Sequence, residues 1–240
     1  MRLRAGSVIA DFLRAARGLA YGGRRGIRNL AAGLAIVAGG FAPAHAEDVI
    51  LAFGDSLTAG YGLPVEEGFV PQLEAWLREA GADVRVLNGG VSGDTTAMGR
   101  ARLGWALGDG PDLMILTLGA NDMLRGMDPA DARDNLEAMI EEAEASGARV
   151  LLVGMSAAGN YGAGYREAFD GMYPALAEAH GLTLYGDFFA PLLGADLESA
   201  REEYIQPDGL HPNAAGVARI VEGLGPVVLD ELAELPGGAG

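Results

Sequence analysis

A serine on a sharp turn, a histidine, and an aspartate spaced to orient that histidine make up the chemistry available in this chain. Leu51-Ala52-Phe53-Gly54-Asp55-Ser56-Leu57-Thr58 runs from an apolar stretch into Gly54 and then into Ser56. A serine hydroxyl is a weak nucleophile until a base is within reach. The chain holds three histidines. His45 falls in an N-terminal segment of different composition, and His180 stands before Gly181, where a helix end accounts for it. His211 remains as the base, in Pro207-Asp208-Gly209-Leu210-His211-Pro212-Asn213. Asp208 precedes it by three residues. On a turn, that spacing lets the carboxylate accept the imidazole Nδ1–H and leaves Nε2 free to take a proton from Ser56. Taken singly, each of these stretches also suits a plain turn or a helix cap.

Two more corners carry polar groups. Asn88-Gly89-Gly90-Val91-Ser92-Gly93-Asp94-Thr95 places three glycines before a helix start. Backbone N–H groups of such a turn can face an anion, and tight packing would demand glycine equally. Gly119-Ala120-Asn121-Asp122 offers the neutral N–H donor of Asn121, or simply a turn asparagine. Thr58 stands where a G-x-S-x-G elbow would need its second glycine, which disfavours the α/β-hydrolase route.

The elements that must position these residues alternate. Apolar runs at 49–53, 84–87, 113–118, 150–153 and 182–185 read as strands, that at 113–118 being the most continuous. Between and after them, 66–80, 95–107, 129–146, 165–180 and 213–235 read as helices, the last bent near Gly225-Pro226. In the fourth of these, Tyr165, Phe169, Met172 and Tyr173 recur at helical spacing and suit a core. The alternation predicts a three-layer α/β/α sandwich, flavodoxin-like, with a five-stranded parallel sheet in order 2-1-3-4-5. Ser56 then stands past the carboxyl end of the first strand, where open α/β sheets place their ligands.

The first 46 residues carry seven arginines and one acid, Asp11. The chain has 33 acids, so the remainder holds 32 against ten arginines, a formal charge of −22; lysine is absent. The basic start, the apolar run Leu30 to Ala42 and Ala44-His45-Ala46 predict a signal peptide over 1–46, cleaved before Glu47. The expected product is periplasmic or secreted, with no stable membrane insertion after cleavage, since a 13-residue run is short of the ~20 that span a bilayer. The remainder divides into one domain, 47–236, and a flexible tail, 237–240. The chain has no cysteine, which removes thiol chemistry and thiolate metal sites. The strong negative charge disfavours nucleic acid and anionic membrane surfaces as partners.

Four modest signals at four strand ends, in order, resemble one family, the SGNH (GDSL) hydrolases. Gly54-Asp55-Ser56-Leu57 looks like their first block, Gly93 in Ser92-Gly93-Asp94-Thr95 the second, Asn121 in Gly119-Ala120-Asn121-Asp122 the third, and Asp208 to His211 the fifth. The match is most similar to the bacterial periplasmic arylesterase, acyl-CoA thioesterase and lysophospholipase branch, which also shares Asn160-Tyr161-Gly162. Ala120 departs mildly, where some relatives carry glycine.

The resemblance implies a serine esterase working through an acyl-enzyme on Ser56, with His211 as base and then acid and Asp208 as its orienter. It implies an oxyanion hole of the Ser56 and Gly93 N–H groups and the Asn121 side chain. No metal and no cofactor are required, the partner is a small acyl ester or thioester, and a monomer or weak oligomer is expected. Met123, Leu124 and Met127, with Tyr161, are expected to wall an acyl groove, because apolar side chains on a loop beside the oxyanion donor are costly to leave in water. A carbohydrate O-deacetylase is the alternative within the family. A flavodoxin-like nucleotide- or phosphate-binding protein is the distant one, and it leaves Ser56, Asp208 and His211 unexplained. A non-catalytic lipid binder would lack a catalytic position, and none is missing here.

Overall fold

The structure, a computed structural model, describes residues 47–193 and 197–235. The expected signal peptide and the tail lie outside the described residues. Strands β1 (Asp48–Gly54), β2 (Val84–Gly90), β3 (Leu113–Thr117), β4 (Arg149–Val153) and β5 (Thr183–Tyr185) form one parallel sheet in the order β2-β1-β3-β4-β5. The fold and strand order are those expected from the alternation of elements.

The helices are α1 (Ser56–Ala59), α2 (Phe69–Glu79), α3 (Thr96–Ala106), α4 (Ala120–Leu124), α5 (Pro129–Ser146), α6 (Ala163–His180), α7 (Leu197–Tyr204) and α8 (Ala214–Ala233). Helices α2 and α8 pack together, as do α3 with α5 and α5 with α6. Right-handed crossovers put the first pair on one face of the sheet and the other three on the opposite face. Central strands are therefore covered on both sides. All five residues of β3 are buried, as a strand without a solvent face requires. Phe53, Phe69, Phe169, Tyr173 and Phe188 are the bulkiest fully buried side chains. The aromatic stripe on α6 thus faces the core, with Tyr165 partly buried against it.

The structure moves several expected boundaries. Strand β2 runs three residues past Leu87, because Asn88, Gly89 and Gly90 pair with Ala52, Phe53 and Gly54. A side chain at Gly90 would lie 2.3 Å from the Ala59 nitrogen, and one at Gly89 would lie 3.0 Å from the Ala52 carbonyl oxygen. These glycines let β2 lie close against β1 and α1, so packing accounts for them. The helix expected from Glu66 begins at Phe69, after a 3₁₀ turn at Val65–Glu67 and an extended Gly68. Helix α8 continues through Pro226. Gly225 there admits Trp76, whose ring atoms lie 2.5 Å from where its Cβ would be.

Candidate active site

Gly54 closes β1 and lets the chain leave the sheet sharply. A Cβ there would lie 2.7 Å from the Thr117 carbonyl oxygen on β3. Asp55 caps α1, its Oδ1 accepting the Leu57 N–H at 3.0 Å, and Ser56 is the first residue of that helix. No described group accepts the Ser56 N–H. It points out of the helix as one of the orphan donors of a first turn.

His211 reaches Ser56 from the other end of the chain, on the turn between α7 and α8. An isolated bridge between Ile205 and Pro212 closes the base of that turn. Gln206 ties it to the nucleophile side, its Nε2 donating to the carbonyls of Pro212 at 2.9 Å and Tyr61 at 2.8 Å. Within the turn, Asp208 Oδ1 accepts the N–H groups of Leu210 at 2.9 Å and His211 at 3.1 Å. Its Oδ2 lies 2.6 Å from His211 Nδ1. The Leu210 N–H and then the imidazole hold the Asp208 carboxyl low, at about 2. His211 Nε2 lies 2.9 Å from Ser56 Oγ. The Tyr61 ring covers the imidazole at a centroid distance of 4.6 Å.

Two further polar groups converge on Ser56. Val91-Ser92-Gly93-Asp94 is a turn closed by the Asp94 N–H on the Val91 carbonyl at 3.1 Å. Gly93 has φ +88°, and no described residue other than glycine has positive φ, which makes it a type II turn. The Gly93 N–H has no described acceptor. Asn121 sits on α4, a helix of five residues that pattern reading took for a turn. Its Nδ2 donates one hydrogen to Asp55 Oδ2 at 3.1 Å. Burial pushes the Asp55 carboxyl up to about 6, against the opposing pull of the Leu57 N–H and the Asn121 amide. Asp122 is buried and accepts from Thr96 N at 2.8 Å and Thr96 Oγ1 at 2.6 Å.

These groups open on a cavity of about 410 Å³. Ser56, Gly93, Asn121 and His211 line it together with Leu57, Tyr61, Met123, Leu124, Phe189 and Leu210. Of the four residues expected to wall an acyl groove, Met123 and Leu124 line this cavity. Met127 and Tyr161 are not among the lining residues. The Tyr161 ring stacks instead on Tyr165, at 4.9 Å between centroids. Tyr61, Phe189 and Leu210 take the remaining walls, and pattern reading missed all three. Tyr61 and Leu210 each carried a signal, an aromatic residue between Gly60 and Gly62 just beyond Ser56 and an apolar residue directly before His211; Phe189 carried none.

The arrangement joins a hydroxyl, an oriented imidazole and three N–H groups without acceptors at the mouth of an apolar cavity. That set can activate an alcohol nucleophile and receive an oxyanion.

Known proteins share the sequence and the fold. Residues 52–219 match the GDSL-like Lipase/Acylhydrolase family. Esterase TesA of Pseudomonas aeruginosa is 39% identical over 184 residues, covering 76% of this chain and 89% of that protein. The Arylesterase of Vibrio mimicus is 39% identical over 182 residues, 75% and 88%. Thioesterase 1/protease 1/lysophospholipase L1 of Escherichia coli is 34% identical over 174 residues, 71% and 78%. The crystal structure of AlinE4, an SGNH-hydrolase family esterase, is 43% identical with a TM-score of 0.63, covering 78% of this chain and 97% of that one. With its family blocks gathered at one cavity and these relatives over most of its length, the chain belongs to the GDSL-like lipase/acylhydrolase family.

Proposed function

We propose that the protein hydrolyses carboxylic esters, and acyl thioesters, of apolar acyl groups through an acyl-enzyme on Ser56. The observation that carries this reading is the unbroken relay from Asp208 Oδ2 through His211 to Ser56 Oγ, at 2.6 and 2.9 Å. Ser56 Oγ attacks the acyl carbon as its proton passes to His211 Nε2. The carbonyl oxygen takes up the displaced electron pair. The Ser56 N–H, the Gly93 N–H and the second Asn121 Nδ2 hydrogen stabilise it. The tetrahedral species expels the alcohol or thiol, which leaves with the proton from His211. Water then attacks the acyl-enzyme with His211 as base again, and the carboxylic acid departs. Relatives named esterase, arylesterase and thioesterase support both ester and thioester substrates.

The apolar walls favour an acyl chain longer than acetyl over a carbohydrate O-acetyl group. The basic start, apolar run and Ala44-His45-Ala46 support export to the periplasm. Protein recovered there should begin at or near Glu47; a cytoplasmic product retaining Met1 removes that reading.

A panel of aryl esters from acetate to palmitate, beside acyl-CoA thioesters and a serine-directed phosphonate, tests the activity. Ser56→Ala should lower hydrolysis by about 10⁵–10⁶-fold, and the phosphonate should label Ser56 alone. Each added methylene should raise kcat/KM, by at most ~0.8 kcal/mol, until the cavity fills. An active Ser56→Ala protein refutes the assignment. Rejection of every acyl chain beyond acetate would turn the reading to the O-deacetylase.

A further inference from the structure

Arg125 makes a contact that charge pairing does not account for. It lies at the C-terminal end of α4, four residues after Asn121, and its side chain is exposed. The domain holds 32 acids against ten arginines, yet no described carboxylate lies within ion-pair distance of Arg125. Its Nη2 donates instead to the Gly93 carbonyl, at 2.7 Å. A short bond from a charged donor to a neutral carbonyl is among the stronger kinds.

The recipient explains why the contact matters. Gly93 occupies the third position of the type II turn and lines the cavity, and its N–H has no described acceptor. Glycine is the most permissive residue, so its own conformation does little to hold that N–H still. An oxyanion hole works only when its donors lie 2.7–3.1 Å from one oxygen position. The Gly93 turn and the Asn121 helix come from different strand ends and must be registered against each other. Asp122 joins them once, below the site, through Thr96. Arg125 joins them a second time, at the rim. On the far side of the turn, Arg102 holds Asp94 at 2.6 Å and the Gly54 carbonyl at 2.8 Å, which fixes the turn to β1 but not to α4.

We propose that Arg125 is a positioning residue for the oxyanion hole, tying the Gly93 turn to the helix that carries Asn121. The inference rests on the ester-hydrolase reading, and it concerns a residue that need not touch substrate. Arg125→Met and Arg125→Lys test it, assayed on an uncharged acetate ester and an uncharged octanoate ester. Arg125→Met should lower kcat about tenfold on both, with KM unchanged, the size of one lost charge-assisted hydrogen bond. Arg125→Lys, which keeps a cationic donor, should recover most of that loss. In the amide spectrum of ¹⁵N-labelled protein, the Gly93 resonance should shift and exchange faster with solvent in Arg125→Met while core amides stay in place. A raised KM at constant kcat would make Arg125 a substrate-binding group and overturn the proposal. So would an unmoved Gly93 resonance. Should wild-type protein hydrolyse no ester at all, the ester-hydrolase reading falls by itself, and the Gly93 resonance still decides whether Arg125 holds the turn.

Discussion

Two histidines stand at opposite ends of the sheet, each beside carboxylates, and only one faces chemistry. His211 lies past the C-terminal ends of the strands, 2.6 Å from Asp208 and 2.9 Å from Ser56 Oγ. His180 ends α6, near where β4 and β5 begin, with Glu137 and Glu144 of α5 each 3.7 Å from a ring nitrogen. It turns toward α5, while Gly181 in the left-handed region terminates the helix. A second cavity, of about 310 Å³, opens beside it. There the polar groups satisfy one another. Buried Glu231 accepts from Arg149 at 3.0 and 3.2 Å and from the Thr183 hydroxyl at 2.5 Å. At the other end, the Ser56 and Gly93 N–H groups have no described acceptor. The lesson is that a histidine beside carboxylates, or a buried acid, does not by itself mark a site. Donors left open toward an apolar cavity do.

Substituting both histidines puts the contrast to its hardest test. His211→Ala should lower kcat by about 10⁵-fold or more, since a triad without its base loses nearly all its advantage. His180→Ala should leave kcat/KM within about twofold and cost on the order of 1 kcal/mol of stability, the usual size for trimming a partly buried side chain. Comparable kinetic damage from both would break the comparison. The open donors can be probed at Asn121. Asn121→Ala should lower kcat by about 10²–10³-fold with KM little changed, because the oxyanion exists only after attack. A large KM rise at constant kcat would mean that Asn121 binds the ground state.

The last effect is read in stability rather than rate. Burial raises the Asp55 carboxyl to about 6 from an ordinary 3.8. The folded protein therefore holds that proton more tightly than the unfolded chain does. Its contribution is full below about pH 3.8 and is lost as pH rises through about 6. Denaturant unfolding of wild type against Asp55→Asn removes the titrations that are not coupled to Asp55. Wild type should lose about 3 kcal/mol relative to the variant between pH 4 and pH 7. A difference independent of pH would show that Asp55 is not a strained acid. Asp208 runs the opposite way. Its carboxyl is held down at about 2, so its contribution is present above about pH 3.8 and disappears as pH falls through about 2.

Most of the architecture was legible because it is written in local periodicity. Apolar runs such as that at Leu113 mark strands buried on both faces, and β–α alternation leaves few ways to build the sheet. Ser56, Asn121 and His211 were legible because each follows a strand end or precedes a helix with turn residues around it. What stayed hidden depends on contacts across the fold. The glycines of β2 looked like a loop, since their close approach to α1 appears only once the strands pair. The stacking of the Tyr161 ring on Tyr165 joins residues that pattern reading treats apart. Phe189 reaches the cavity from a segment far from Ser56 in the chain, and the Arg125 bond to Gly93 crosses between two strand ends. No spacing in the sequence announces those contacts.

The turn that carries His211 has a consequence for the order in which the enzyme is made. Ser56 and His211 are 155 residues apart. At about 5–20 residues per second, the ribosome delivers Ser56 roughly 8–30 s before His211. A nascent chain reaching residue 204 already carries Ser56, Gly93 and Asn121 and still has no proton acceptor for the hydroxyl. Under the proposed mechanism, catalysis begins only when nearly the whole domain has been synthesised, so a chain still being made, or stalled short of that turn, meets the cell's own esters without the means to cleave them.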